Sequence, residues 1–216
     1  MLVMPANNGK WQVHYWQGLY GGLGHLYGPG RTFAPMPHLP YALDNGAFPA
    51  WTNGTEWDEE SFLLHVERAA VQLALGNPPR WIVAPDVVTD AKATLARWPA
   101  WREVIESRGL VAALAVQDGM TIEVVKELDP AVIFVGGSTE WKWLWLERWC
   151  AAFPRVHVGR VNTHKWLTRC HNAGAESCDG TGWFRGRREQ LEGLRLYLEQ
   201  QSQGLVPADR GLFADD

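Results

Sequence analysis

The chain is poor in cysteine, with three in 216 residues, and Cys150, Cys170 and Cys178 form no C-x-x-C pair. An odd set without that spacing argues against a disulfide framework and a zinc ribbon, so reduced thiols are expected, with no metal site and no cofactor. Long apolar runs are also missing. No stretch of about 18 apolar residues could span a membrane, and residues 1–5 lead into Asn-Asn-Gly-Lys rather than the apolar core of a signal peptide. A soluble, cytoplasmic protein without a membrane partner is expected. Positive charge is not in excess either, with 20 Lys and Arg against 24 Asp and Glu, which argues against a protein that coats nucleic acid non-specifically.

What is present supports one sizeable core, since 46% of the residues are hydrophobic. Tryptophan is abundant, 13 in all, and Trp141, Trp143, Trp145 and Trp149 crowd one segment. An aromatic helix packed on a sheet explains that crowding better than a base-stacking surface. Basic side chains gather in the C-terminal third, at Arg160, Lys165 and Arg169 and then at Arg185, Arg187 and Arg188.

From Tyr41 onward, short apolar runs alternate with longer amphipathic ones, the rhythm of strands and helices around a parallel sheet. Strands are expected at residues 2–4, 41–43, 81–84, 110–116, 132–135, 156–158 and 175–178. The clearest helix signal is Thr55 three before Asp58, followed by Phe62, Val66, Ala69, Ala70 and Leu73 until Gly76 and Pro78 stop it. Thr89, Thr121, Thr139 and Thr163 stand where later helices would be capped. Residues 17–40 are rich in Gly and Pro and read as loop. An eight-stranded barrel usually takes about 250 residues, so the expected fold is α/β, a compact or incomplete TIM-type (β/α) barrel in a single domain, its eighth strand hidden or missing. A doubly wound open sheet is the alternative.

A barrel places its chemistry at the C-terminal ends of its strands. Those ends carry Asp44-Asn45-Gly46, Asp86, Gln117-Asp118-Gly119, Gly136-Gly137, Gly159-Arg160 and Asp179-Gly180. Each alone is ordinary turn chemistry; together they bring several acids to one rim. Alternation along the last strand puts Ala175, Ser177 and Asp179 on one face and Glu176 and Cys178 on the other. Asp179 is therefore expected inward and Glu176 as an ion-pairing residue. Cys170 and His171 diverge by about 100° on a helix and are not read as a ligand pair.

The rim motifs resemble, in order, those of the tRNA-guanine transglycosylases. Leu43-Asp44-Asn45-Gly46-Ala47-Phe48 is similar to that family's Asp-Ser-Gly-Gly-Phe/Tyr segment, and Pro85-Asp86 resembles its base-reading aspartate. Ala115-Val116-Gln117-Asp118-Gly119 resembles its Val-Gln-Gly stretch, Val135-Gly136-Gly137 its Gly-Gly turn, and His157-Val158-Gly159 its Met-Gly-Val segment. Gly174-Ala175-Glu176-Ser177-Cys178-Asp179 is similar to the segment ending in the family's nucleophilic aspartate. The likeness runs over residues 41–188, while the family's Cys-x-Cys-x-x-Cys and His zinc site is absent. The wording is most like the compact phage and bacterial relatives that insert 7-deazaguanines into DNA.

The resemblance implies a catalytic pair, Asp179 as nucleophile on the sugar carbon and Asp44 as acid and base for the exchanged purine. It implies base-binding roles for Asp86, Gln117, Gly136, Gly137, Asn45, Phe48, Val158 and Gly159. In that scheme Asp86 accepts from the guanine N1–H and amino group, Gln117 and the Gly136 and Gly137 amides meet O6, and Phe48 and Val158 sandwich the ring. Arg185, Arg187 and Arg188 would hold phosphates flanking an extruded base, and Trp183 could stack on its neighbour. The implied partners are guanine-containing DNA and a free 7-deazaguanine base such as preQ0 or preQ1. Other readings are a tRNA-guanine transglycosylase, a barrel glycoside hydrolase using Asp44 and Asp179, and a non-catalytic nucleic-acid module. A metal enzyme would instead have Asp44 and Asp86 hold Mg²⁺.

Overall fold

The structure, a computed structural model, describes residues 1–6, 11–30, 32–185 and 187–207. Residues 7–10, 31, 186 and 208–216 lie outside the described residues, among them the Asn-Asn-Gly-Lys stretch weighed against a signal peptide and Arg31 of the Gly-rich segment. No helix among the described residues is long and apolar enough to cross a membrane.

Among the described residues, eight parallel strands form one sheet: β1 (Leu2–Pro5), β2 (His25–Tyr27), β3 (Tyr41–Leu43), β4 (Ile82–Val83), β5 (Ala112–Val116), β6 (Val132–Val135), β7 (Val156–Val158) and β8 (Ser177–Gly180). Their order is β1-β8-β7-β6-β5-β4-β3-β2. The ends of that order meet through two parallel bridges, Val3 with Leu23 and Ala6 with Leu26. The result is a TIM-type (β/α) barrel. The helices are α1 (Trp11–Tyr20), α2 (Ala47–Asn53), α3 (Glu59–Ala74), α4 (Ala91–Glu106), α5 (Ile122–Glu127), α6 (Thr139–Ala152), α7 (His164–Asn172) and α8 (Arg188–Ser202).

Residues 17–40, expected as loop, hold the end of α1 and the missing strand β2. That strand is hidden from the sequence because it is three residues long, begins with a polar His25 and is flanked by glycines. Its register comes from tertiary pairing, as His25 N–H donates to Pro40 O at 2.9 Å and β3 lies alongside. The last strand begins at Ser177 rather than Ala175, because its pairing with β1 runs from Leu2–Ser177 to Pro5–Gly180. Thr121 and Thr163 cap α5 and α7 as expected. The caps of α3, α4 and α6 are instead Asp58, Asp90 and Ser138, each the neighbour or near neighbour of the expected threonine and each accepting from a backbone N–H in the first turn.

Alternation sorts the side chains into two layers. Val3, Leu43, Ile82, Leu114, Ile133, Val135, Val156, Val158 and Cys178 face the helices, where Trp143 and Trp149 of α6 are buried. Trp143 stacks on Trp166 at 4.0 Å, so the tryptophan-rich segment serves the helix layer. The barrel interior holds Met4, Ala42, Trp81, Val83, Ala113, Ala115 and Val132, with Phe134 against them. Alanines on β3 and β5 leave room that large rings fill. Phe134 stacks on His157 at 4.9 Å and Trp81 meets the same imidazole edge-on at 4.6 Å. At the opposite, N-terminal end of the strands, Glu176 pairs with Arg155 at 2.9 Å and with Arg80. Glu176 is thus the ion-pairing residue anticipated.

Candidate active site

The rim is built strand by strand. After β3, Gly46 takes φ 77°, a left-handed turn that a side chain would strain, and a Cβ there would meet Pro29 at 2.7 Å. This turn brings Asp44 and Asn45 over the barrel mouth. The buried Asn45 amide donates to Ala84 O at 2.9 Å and to Asp86 Oδ1 at 2.8 Å, while its own carbonyl oxygen accepts from Ala47 N–H at 2.8 Å. Trp57 Nε1 donates to the Asn45 backbone carbonyl at 2.7 Å. Asn45 therefore joins the tips of β3 and β4 and orients Asp86.

Asp179 lies at the tip of β8, 5% exposed. Its Oδ2 is 3.1 Å from His157 Nε2, and its Oδ1 accepts from the Arg160 backbone N–H at 3.2 Å. His157 Nδ1 is 2.8 Å from Ser177 Oγ. Ser177 and Asp179 thus share the interior face, as alternation indicated, with an imidazole clamped between them. His157 is a positioning residue: its ring is held by Ser177, Trp81 and Phe134 and has no freedom to turn away from the carboxylate.

A second support comes from α6. Lys142 is buried, and its Nζ donates to Gly159 O at 2.5 Å. Burial, and then the Arg160 guanidinium, lower its pKa to about 8. That bond fixes the turn whose next residue, Arg160, donates to Asp179. Arg160 itself has φ 59°, unusual for a long side chain.

The three acids are not equivalent. Burial comes first, followed by the charges of Asp179 and Asp86, in raising the Asp44 pKa to about 7. Burial also raises that of Asp86, against the opposing hydrogen bond from Asn45. Two carboxyl groups in different environments on one rim can divide the work of acid and nucleophile.

Several residues expected at the base site do other work. Gln117 commits both amide protons, to Val87 O at 2.9 Å and Thr94 Oγ1 at 2.6 Å, and its oxygen accepts from Thr89 N–H at 2.8 Å. No proton is left for a base's O6, so Gln117 holds the loop between β4 and α4. Replacing it by alanine is expected to cost about 2–4 kcal/mol of stability, read by urea denaturation, without changing which purine is bound. The Gly136 N–H is also committed, to Val116 O at 2.9 Å. Val158 cannot face a base because alternation turns it toward the helices; His157 occupies the interior position instead. Gly137 takes φ 70°, and a Cβ there would strike Asp118 Oδ2 and the Trp141 ring, so its lack of a side chain accommodates protein atoms. Asp118 accepts from Ser138 N–H and Oγ, both at 2.6 Å.

Phe48, 38% exposed on α2, lies under the Arg160 guanidinium at 4.7 Å from its ring centre. Arg185, Arg187 and Arg188 are exposed between β8 and the first turn of α8. Trp183 is buried and not available for stacking on a flanking base. Among the described residues, no group of three or more His, Cys, Asp or Glu is arranged as metal ligands would be.

His157 and Lys142 were missed by the sequence reading, although each left a signal. In Val-His-Val the histidine takes the inward position of a buried strand. Lys142 shares a helix face with Leu146 and Trp149, at i+4 and i+7, and so interrupts an apolar stripe.

No protein-family model matches this chain, and no curated protein matches it. Among solved structures it is similar to three mutant tryptophan synthase alpha-subunits from the hyperthermophile Pyrococcus furiosus. Their TM-scores are 0.55, 0.54 and 0.55 at 14%, 14% and 13% identity, with 94% of this chain and 98% of each of theirs covered. At that identity the likeness shows the barrel fold alone.

Proposed function

We propose that this protein is a transglycosylase that exchanges guanine in DNA for a 7-deazaguanine base of the preQ0 or preQ1 type. The observation that carries the reading is the pairing of two unlike carboxyl groups on one rim. Asp44 is held protonated up to about pH 7, while Asp179 is held by an imidazole and a backbone N–H. Asp179 attacks C1′ of the deoxyribose, the bond from C1′ to the purine breaks, and the proton from Asp44 goes to the departing base. The sugar is then esterified to Asp179. The incoming base returns a proton to Asp44 as its nitrogen attacks C1′ and displaces the carboxylate. Two substitutions at one carbon retain its configuration.

Asp86 has one oxygen on Asn45 and offers the other to the guanine N1–H and amino group. With Gln117 and Gly136 committed, the Gly137 amide is left from that set as a donor to O6. Arg185, Arg187 and Arg188 attract phosphates around an extruded nucleotide. The test supplies purified protein with labelled guanine or preQ0 and, separately, single-stranded DNA, duplex DNA and tRNA. Label in DNA alone is expected. Label only in tRNA would move the activity to the other polymer, and release of guanine without base incorporation, leaving an abasic site, would make the protein a hydrolase.

A further inference from the structure

The side chain of Arg160 has no role in the scheme above, yet the residue touches three parts of the site. Its backbone N–H donates to Asp179, its guanidinium donates to Gly137 O, and the same planar cation lies over the Phe48 ring at 4.7 Å. The other ring beside Phe48 is Trp51 of the same helix, tilted at 37° and 5.9 Å from it. A purine stacked on the inward face of Phe48 would take the place of the guanidinium. It would also have to displace that cation from the Gly137 carbonyl.

We propose that Arg160 is a specificity-determining residue that stands in for the base in the empty site and selects a phosphorylated nucleotide over a free base. The inference rests on the reading of the site as one that binds nucleotides. A guanidinium is flat, bears donors around its edge and stacks on aromatic faces, so it can satisfy Phe48 and Gly137 much as a purine edge would. A ligand that stacks on the face of Phe48 covered by the guanidinium must evict it. A free base offers the evicted cation only neutral acceptors such as O6 and N7, whereas a nucleotide also offers a charged phosphate, which guanidinium binds more strongly through paired hydrogen bonds. Of the nearby acids, Asp118 already accepts two hydrogen bonds from Ser138, and Asp179 is paired with the His157 ring and accepts from the Arg160 backbone N–H. A phosphate is the charged acceptor that a nucleotide brings with it and a free base does not. From its left-handed backbone the side chain of Arg160 reaches the Gly137 carbonyl and the Phe48 ring.

The test compares wild type with Arg160→Gly, for which φ 59° is unstrained, and with Arg160→Asn, which also tolerates that region. Calorimetric titration with guanine and with dGMP gives the two affinities, and melting temperatures report folding. Both variants are expected to bind guanine about tenfold more tightly than wild type, since eviction of the stacked cation is no longer required. Affinity for dGMP is expected not to rise in step, because the phosphate loses its partner. Guanine binding that is unchanged or weaker in both variants overturns the proposal, as does an equal change for guanine and dGMP. Guanine binding gained by the variants where wild type shows none supports it, and none in any of the three overturns it. These titrations do not require turnover. Guanine binding with no exchange on any polymer would remove the transglycosylase reading while leaving the role of Arg160 standing.

Discussion

Asp179→Asn is expected to abolish base exchange, by roughly 10⁴-fold or more, while the protein still folds and binds guanine. Asparagine has the shape of aspartate and can accept the Arg160 N–H, yet its amide cannot form the ester on which exchange depends. Rapid quenching of wild type with DNA labelled in its sugar–phosphate backbone, in the absence of an incoming base, should trap a labelled protein–DNA adduct, and Asp179→Asn should trap none. Full activity in Asp179→Asn would remove the nucleophile assignment, and so would an adduct that survives the substitution. His157 and Lys142 enter this result indirectly, because one aims the carboxylate and the other steadies the turn that donates to it.

Asp44→Asn is expected to do two things at once, to lower exchange by about 10²–10⁴-fold and to stabilise the fold above neutral pH. Its carboxyl titrates near 7 in the folded chain against 3.8 ordinarily, so between those values the folded state binds more protons than the unfolded one. The stability Asp44 allows is therefore fully present below about pH 4 and is lost as pH rises through about 7. At about 1.4 kcal/mol for each pKa unit, the loss approaches roughly 4 kcal/mol at pH 8.5. Neutral asparagine does not suffer it. Urea denaturation at pH 4 and pH 8.5 should show the variant near wild type at the lower pH and a few kcal/mol more stable at the higher. The same titration should turn down wild-type exchange above about pH 7, where Asp44 no longer carries the proton the leaving base needs. An equal effect of Asp44→Asn at both pH values would mean that the carboxyl is not held protonated.

Much of the barrel was legible because its signals are local. Residues 41–43 and 132–135 are apolar runs bounded by turn residues, 156–158 is two valines around a histidine before Gly159, and each forms a strand with those bounds. β2 was not legible, since His25-Leu26-Tyr27 lacks an apolar run and becomes a strand only through pairing with β3 and bridging to β1. The acids of the rim were legible as well, because strand ends are a position in the chain before they are a place in space. The partners of those acids were not. Nothing in the one-dimensional order brings Lys142 to Gly159, or says that Gln117 will turn to Thr94 rather than to the mouth.

The sequence by itself thus determined the parallel α/β rhythm, the inward face of Asp179 and the set of carboxylates at the strand ends, all consequences of period-two alternation and turn chemistry. Only the tertiary structure decided that the barrel has eight strands, that Val158 faces helices while His157 faces Asp179, and that Asp44 keeps its proton near neutrality. Those outcomes depend on burial, on charge across the barrel and on hydrogen bonds between residues far apart in sequence, and such energies exist only once the strands have closed.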